Sequence, residues 1–294
     1  MVVPEPTISS CSGGDFDALL PLLDQEFIFG KGRKVSLQQR FPGVLDRKHP
    51  QNILLASVGG GIASALATKA FVWTTPQRSW RAAMIGMVYT RPGLRGQGTA
   101  SALMRATQTR LAQAGCDFAV LWTSRPDFYT RLGWSGLDCG MLGSVRLASA
   151  DPSAPAMPAP SSAIDWIETL RARYAPERAG RSETAYSSML PPAQRLELLR
   201  GDSACAILGS NDGNAYLFDI LGDEAELPAL WSRLATRYPA LYLNLQRGSP
   251  AQRLLSERAG IEWQAQRLAM WLPLSAAARA APYADWYIPF IDRI

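Results

Sequence analysis

Residues 90–103 (TRPGLRGQGTASAL) hold residue types at a spacing that could do chemistry. Arg95, Gly96, Gln97, Gly98, Thr99 and Ala100 fall between an extended apolar run and a long helical pattern. Glycine lets a loop adopt positive φ and approach a ligand closely, and the free N–H groups of a helix's first turn carry the positive end of its dipole. Each contact of an anion with that end contributes about 0.3–1 kcal/mol, or about 2 kcal/mol when partly buried, so several together could hold a pyrophosphate. Two common phosphate loops fail on particular residues. A Walker A loop needs Gly-Lys-Ser/Thr, which this segment lacks. A dinucleotide loop wants a third glycine where Ser101 and its neighbours stand and an acid closing the next strand, whereas Asp117 precedes that strand.

The elements that must position this loop follow from periodicity. Residues 15–26 (DFDALLPLLDQE) and 36–45 have helical spacing, with Asp15 as the expected N-cap of the first. Residues 53–58 and 62–74 flank Gly59-Gly60-Gly61, and 82–90 is a third extended run, so an antiparallel meander is expected. A helix over 98–114 would place Ala100, Leu103, Met104, Thr107 and Leu111 on one face and stop at Gly115. Residues 117–123 (DFAVLWT) read as an apolar strand, 126–132 as a short helix closed by Gly133, and 142–147 as a last strand.

The run Arg95-Gly96-Gln97-Gly98-Thr99-Ala100 resembles the Q/R-x-x-G-x-G/A signature of the GNAT superfamily of N-acetyltransferases, with Pro92 three residues ahead of the arginine and Ala100 in the last small position. Residues 128–134 (FYTRLGW) resemble the family's FY-x-x-LGF block, with Trp134 in place of phenylalanine. The resemblance spans roughly residues 7–147 and agrees with the element order read from periodicity. It implies an α+β (α/β) fold, the GNAT fold, in which helices flank a central mixed, mostly antiparallel sheet. It also implies transfer of an acetyl group from acetyl-CoA to an amine by direct attack, with no covalent enzyme intermediate. By the same resemblance, backbone groups of Val88, Tyr89 and Thr90 would meet the pantetheine arm and the acetyl carbonyl, and the N–H groups of Arg95 through Ala100 would hold the pyrophosphate.

Tyr129 stands where the family has a tyrosine that protonates the departing thiolate. A phenol with a pKa of about 10 and a thiol of about 8.5 are close enough for such a hydrogen bond to assist. The alternative is a tyrosine that merely packs beside Phe128. The base is less plainly marked. An ammonium of pKa about 10.4 is neutral only to about one part in 10³ to 10⁴ at pH 7, equivalent to roughly 4–5 kcal/mol. Residues 81–90 contain no acid, and His49 precedes the first meander strand. Asp24 and Glu26, near the end of the first helix, are candidates to bind or deprotonate an amine, unless they are simply solvated.

With 294 residues, 47% of them hydrophobic, the chain can bury two ordinary cores. Residues 148–163 (ASADPSAPAMPAPSSA) have no apolar periodicity and read as a linker. The expected organisation is a catalytic domain over 1–148, a linker over 149–163, a degenerate GNAT-like domain over 164–274 and an aromatic tail over 275–294. The second half repeats the order of strand, helix, strand, short helix and strand, but carries Gly222-Asp223-Glu224-Ala225-Glu226 where the first half has its glycine loop. Acids there would repel a pyrophosphate, so the repeat is read as one that has lost cofactor binding; an unrelated α+β domain is the alternative. The tail 283–294 (YADWYIPFIDRI) either covers apolar surface of its own chain or enters the substrate pocket, with the Ile294 carboxylate as base.

Composition narrows the partners. No apolar run approaches the roughly 18 residues that span a bilayer, and residues 1–10 lack the pattern of a signal peptide, so a cytoplasmic protein without membrane association is expected. Four scattered cysteines and one histidine make neither a metal site nor a disulfide framework, so no metal is expected. Residues 1–150 hold 16 Lys and Arg against 9 Asp and Glu, while the rest holds 14 against 16. That asymmetry suits a polyanionic small ligand such as CoA; nucleic acid is a weaker reading because the basic residues are scattered singly. The acceptor is expected to be a small-molecule or peptide amine. A non-catalytic acyl-CoA-binding or regulatory protein is the competing reading, motivated by the missing strand acid.

Overall fold

Small and β-branched residues over 53–90 form three long antiparallel strands, and the first sheet is assembled around them. The computed structural model describes residues 5–75, 77–147, 163–176, 195–211, 214–257, 260–281, 283 and 286–294. Ahead of the meander come β1 (Thr7–Ser10), α1 (Gly13–Phe27) and the single turn α2 (Leu37–Arg40). The meander is β2 (Ile53–Val58), β3 (Gly61–Thr74) and β4 (Ser79–Thr90), followed by α3 (Thr99–Gln113), β5 (Phe118–Trp122), α4 (Pro126–Thr130) and β6 (Ser135–Gly136). On one face Leu103, Met104, Tyr129 and Leu132 from α3, α4 and the turn after α4 pack on Leu54, Leu66, Ile85 and Leu121. On the other, Phe16, Leu19 and Leu23 of α1 and Leu37 of α2 pack on Leu55, Ala65 and Ala67.

Local chemistry moves two helix boundaries from where periodicity puts them. The cap of α1 is Ser12, not Asp15: Ser12 Oγ accepts from the Asp15 N–H, and the Asp15 carboxylate accepts from the Ser12 N–H, a reciprocal capping box. The helix expected over 36–45 is one turn long, because Pro42 and Gly43 follow at once.

The second sheet contains β7 (Gly140–Arg146), β8 (Arg195–Arg200), β9 (Ala204–Asn211), β10 (Asn214–Gly222), β11 (Ala240–Gln246) and β12 (Glu262–Ala265). The helices of this half are α5 (Ile164–Tyr174), α6 (Leu227–Arg237) and α7 (Pro250–Ser256); β13 (Ala269–Pro273) and α8 (Ala276–Arg279) come last. The expected linker 149–163 lies, except for Ala163, outside the described residues, as do Asp212 and Gly213 between β9 and β10 and Arg258 and Ala259 after α7.

The two sheets exchange strands. Their orders are β1-β2-β3-β4-β5-β13-β6 and β12-β7-β11-β10-β9-β8. The strand expected over 142–147 as the last of the first half instead pairs with β11 and β12, and β13, from the end of the second half, pairs with β5 and β6. Periodicity identifies a strand but not its neighbour, which is decided by packing. Trp271 of β13 is 2% exposed and meets Phe118 of β5 edge-on at 6.2 Å. Asp138 pins the crossing by accepting from the N–H groups of Gly140, Leu268 and Ala269.

The exchange makes each half dependent on the other. A chain ending at residue 147 would keep the pairing of β5 with β4 but leave its β13 edge unpaired, and would forfeit the Trp271 contacts, whose loss by truncation to alanine alone costs about 3–5 kcal/mol. The fragment 1–147 is therefore expected to show no cooperative thermal transition alone and to regain one when co-expressed with 148–294. A cooperative transition from 1–147 by itself, in differential scanning calorimetry, would contradict this.

Candidate active site

The site begins with an irregularity in β4. Ala65 lies opposite Tyr89 and Ala67 opposite Gly86, so Met87 and Val88 together face Leu66 alone. Met87 takes a positive φ of 54°, and such a backbone state costs of order 1–3 kcal/mol in a non-glycine residue. On its other edge β4 runs parallel to β5 only from Ala82↔Phe118 to Met84↔Val120, although β4 continues to Thr90. Beyond Met84 the two strands no longer pair, and the main chain of residues 85–90 borders an opening in the sheet. Val88 packs on the α3/α4 side of this region and Tyr89, 4% exposed, on the α1 side.

The loop after β4 leads to α3. A short 3-10 turn over Pro92–Leu94 precedes Arg95, and Gly96 and Gly98 take φ of 78° and 82°. Gly98 is the N-cap of α3, and no side chain caps that helix end. A Cβ at Gly96 or Gly98 would meet no protein atom within 4 Å, so the loop faces open space. Free first-turn N–H groups, left-handed glycines and an adjacent arginine fit a pyrophosphate. Arg95 Nε donates to Thr90 O at 3.1 Å, and its NH2 pairs with Glu26 at 2.8 Å. Both partners of that ion pair are more than a third exposed or nearly so, which limits its worth to about 0–1 kcal/mol, so Arg95 can turn to a phosphate at little cost.

The other candidates separate into those brought to the opening and those that are not. Tyr129, on α4, packs in the same cluster as Ile85 and Val88, edge-on to Phe128 at 4.8 Å. Burial pushes its phenol up to about 12, with Arg125 opposing. Ile294 reaches β4 from the opposite face: a Cβ on Gly86 would lie 2.9 Å from the Ile294 carbonyl carbon and oxygen. The Asp24 carboxylate accepts from the Leu37 N–H at 2.6 Å through Oδ1 and so anchors α2. Glu26 is held by Arg95. Sequence reasoning missed Gly86 and Met87, because a bulge and a left-handed methionine leave no mark in composition. The lack of a side chain at Gly86, inside an otherwise apolar strand pattern, was a hint of a bulge or a close approach.

Residues 7–136 match the family model described as an acetyltransferase (GNAT) domain. Among solved structures the chain is similar to a GCN5-related N-acetyltransferase from Kribbella flavida, at 17% identity and a TM-score of 0.72, over 94% of this chain and 73% of that one. It is also similar to one from Anabaena variabilis ATCC 29413, at 15% identity and a TM-score of 0.73, over 93% and 74%. Eis1 from Mycobacterium abscessus is a further neighbour, at 14% identity and a TM-score of 0.67, over 92% and 75%. At these identities the likeness is one of fold, and it extends across both sheets. No curated protein matches the chain in sequence. Among the described residues no helix is long and apolar enough to cross a membrane, and no group of three or more His, Cys, Asp or Glu side chains could hold a metal ion.

The environment of Tyr129 has a sign that can be checked. Its folded pKa lies above the unfolded value of about 10, so its contribution to stability is complete below pH 10 and is lost as pH rises toward about 12. Between those values the protein should lose on the order of 2–3 kcal/mol relative to Tyr129→Phe, with a constant difference at lower pH. Urea unfolding of both proteins from pH 8 to 12 measures it, and parallel curves throughout would contradict the burial.

Proposed function

We propose that this chain transfers an acetyl group from acetyl-CoA to an amine, a small molecule or a peptide. The observation that carries the reading is the parting of β4 and β5 beside the uncapped start of α3, with Tyr129 on one face of the opening and Ile294 on the other. Acetyl-CoA supplies the thioester that the amine attacks. N–H groups from Arg95 through Ala100 bind its diphosphate, and main-chain groups of Val88, Tyr89 and Thr90 orient its pantetheine arm and acetyl carbonyl. Tyr129 stays protonated across the working pH range and offers its O–H to the thiolate. Proton transfer from a phenol near 12 to a thiolate of ordinary basicity is uphill, but burial raises a thiol as well, as it raises Cys11 to about 11 in this chain.

An amine acceptor approaches from the α1 and tail side. Glu26 lines this route once Arg95 exchanges it for phosphate, and Asp24 supports it through α2. Where Ile294 is the chain's last residue, its carboxylate is the acid beside Gly86 and the preferred base. The competing reading, an acyl-CoA-binding protein without turnover, draws on the engagement of Asp24 and Glu26 elsewhere and on the lack of acid in β4.

Thiol release from acetyl-CoA with a panel of amines decides between them. Tyr129→Phe is expected to lower kcat by about 10²-fold or more with little change in the Kd for CoA. Saturable CoA binding without release for any amine, unaffected by Tyr129→Phe, would favour the binding protein.

Gly98→Glu places a charge at the cradle and a side chain at a left-handed position. Calorimetric titration should show CoA affinity reduced by more than about 100-fold, roughly 2.7 kcal/mol. Wild type should bind one CoA per chain, and a retained affinity in the variant would overturn the cradle assignment.

A further inference from the structure

The second sheet parts in the same place as the first. β10 and β11 run parallel from Asn214↔Ala240 to Leu217↔Leu243 and then cease to pair, although they continue to Gly222 and Gln246, and β10 is irregular between Leu217 and Asp219. The turn that would receive a diphosphate is closed by its own acids. Asp223 accepts from the Ala225 N–H, and Glu226 accepts from the N–H and hydroxyl of Ser203. Those hydrogen bonds hold the Glu226 carboxyl below the usual range.

What lies against this second opening is the aromatic segment 287–291 of the same chain. Phe218 and Asn244 are the first residues past the last β10–β11 pair, one on each strand. The Tyr287 hydroxyl lies 2.8 Å from Asn244 O and 2.7 Å from its Oδ1, and Phe290 stacks on Phe218 at 5.7 Å with rings 20° apart. Its single proton serves one of the two acceptors. The segment alternates between sheets. Trp286 and Ile288 pack into the aromatic cluster of the first, with Trp73 and Phe118, whereas Tyr287, Phe290 and Ile291 hold the second. Arg293, half-buried, then donates to Ile288 O and Gln266 and lies over the Trp122 ring at 4.9 Å, and Ile294 lies against Gly86.

We infer that the parting of β10 and β11 is a socket for residues 287–291, and that Tyr287, Asn244, Phe218 and Phe290 are positioning residues for the acceptor side of the opening in β4. The second sheet thus keeps the shape of a cofactor slot and uses it to fix Ile294 seven residues beyond the Tyr287 anchor. The inference rests on the proposed reading of Ile294 for its kinetic consequence but not for the socket itself.

The test uses the full chain with Tyr287→Phe, Phe290→Ala and Phe290→Tyr. Tyr287→Phe and Phe290→Ala are expected to lower kcat/KM for the amine at least tenfold, to leave the Kd for CoA within twofold, and to reduce hydrogen-exchange protection over 286–294. Phe290→Tyr, which keeps the stacked ring, should leave all three as in the wild type. Amine kinetics unchanged in both damaging variants, whatever the exchange shows, would overturn the positioning role, as would an equal loss of CoA binding. Should wild type release no thiol with any amine, the functional reading fails, and the exchange alone decides: unaltered protection in both variants sinks the socket.

Discussion

The structure turns on one constraint: a sheet strand that stops pairing before it ends. Main-chain groups inside a sheet are costly to leave without partners, about 1–3 kcal/mol each when buried, so β4 can part from β5 only if its surroundings enforce it. Three things do. The bulge at Met87 and Val88 bends the strand, β13 holds the far edge of β5, and α1 and α3 pack the two faces up to the point of parting. The groups exposed there are what a ligand carrying its own amides and carbonyls can satisfy.

The two halves show how one architecture takes on different roles through a few side chains. After β4 the turn is glycine-rich, left-handed and uncapped, and its one ion pair is half-exposed and weak. After β10 the corresponding turn engages Asp223 with its own Ala225 N–H and Glu226 with Ser203, which sets negative charge where an anion would have to lie. Burial differs too: Glu197, 4% exposed, sits in a bonded set with Arg237 and Tyr238 at the end of α6, a closed polar network rather than an open one.

The exchanged strands and the threaded tail bind these halves into one unit. β7 and β13 cross between sheets at Asp138, and residues 286–294 return between them. Five indole N–H groups among the described buried side chains have no hydrogen-bond partner, among them Trp73, Trp80 and Trp122 near the tail. That region is held by aromatic packing together with a few polar bonds to the tail, from Lys69 to Asp292 O, from Cys139 to Trp286 O, from Tyr287 to Asn244 and from Arg293 to Ile288 O.

By itself the sequence determined whatever depends on neighbours along the chain. The left-handed glycines, the uncapped start of α3, the stop at Gly115 and the apolar face of Leu103, Met104 and Thr107 all follow from local torsional preference and helical period, and they stand where the residues place them. Only the tertiary structure decided which sheet accepts β7 and which accepts β13, because two short apolar strands carry the same pattern and differ only in what they pack against. It alone turned Asp24 to Leu37, paired Glu26 with Arg95 across the loop, bent β4 at a methionine and brought Ile294 to Gly86. Such contacts join residues tens to hundreds of positions apart, and their energies appear only once the whole core has closed.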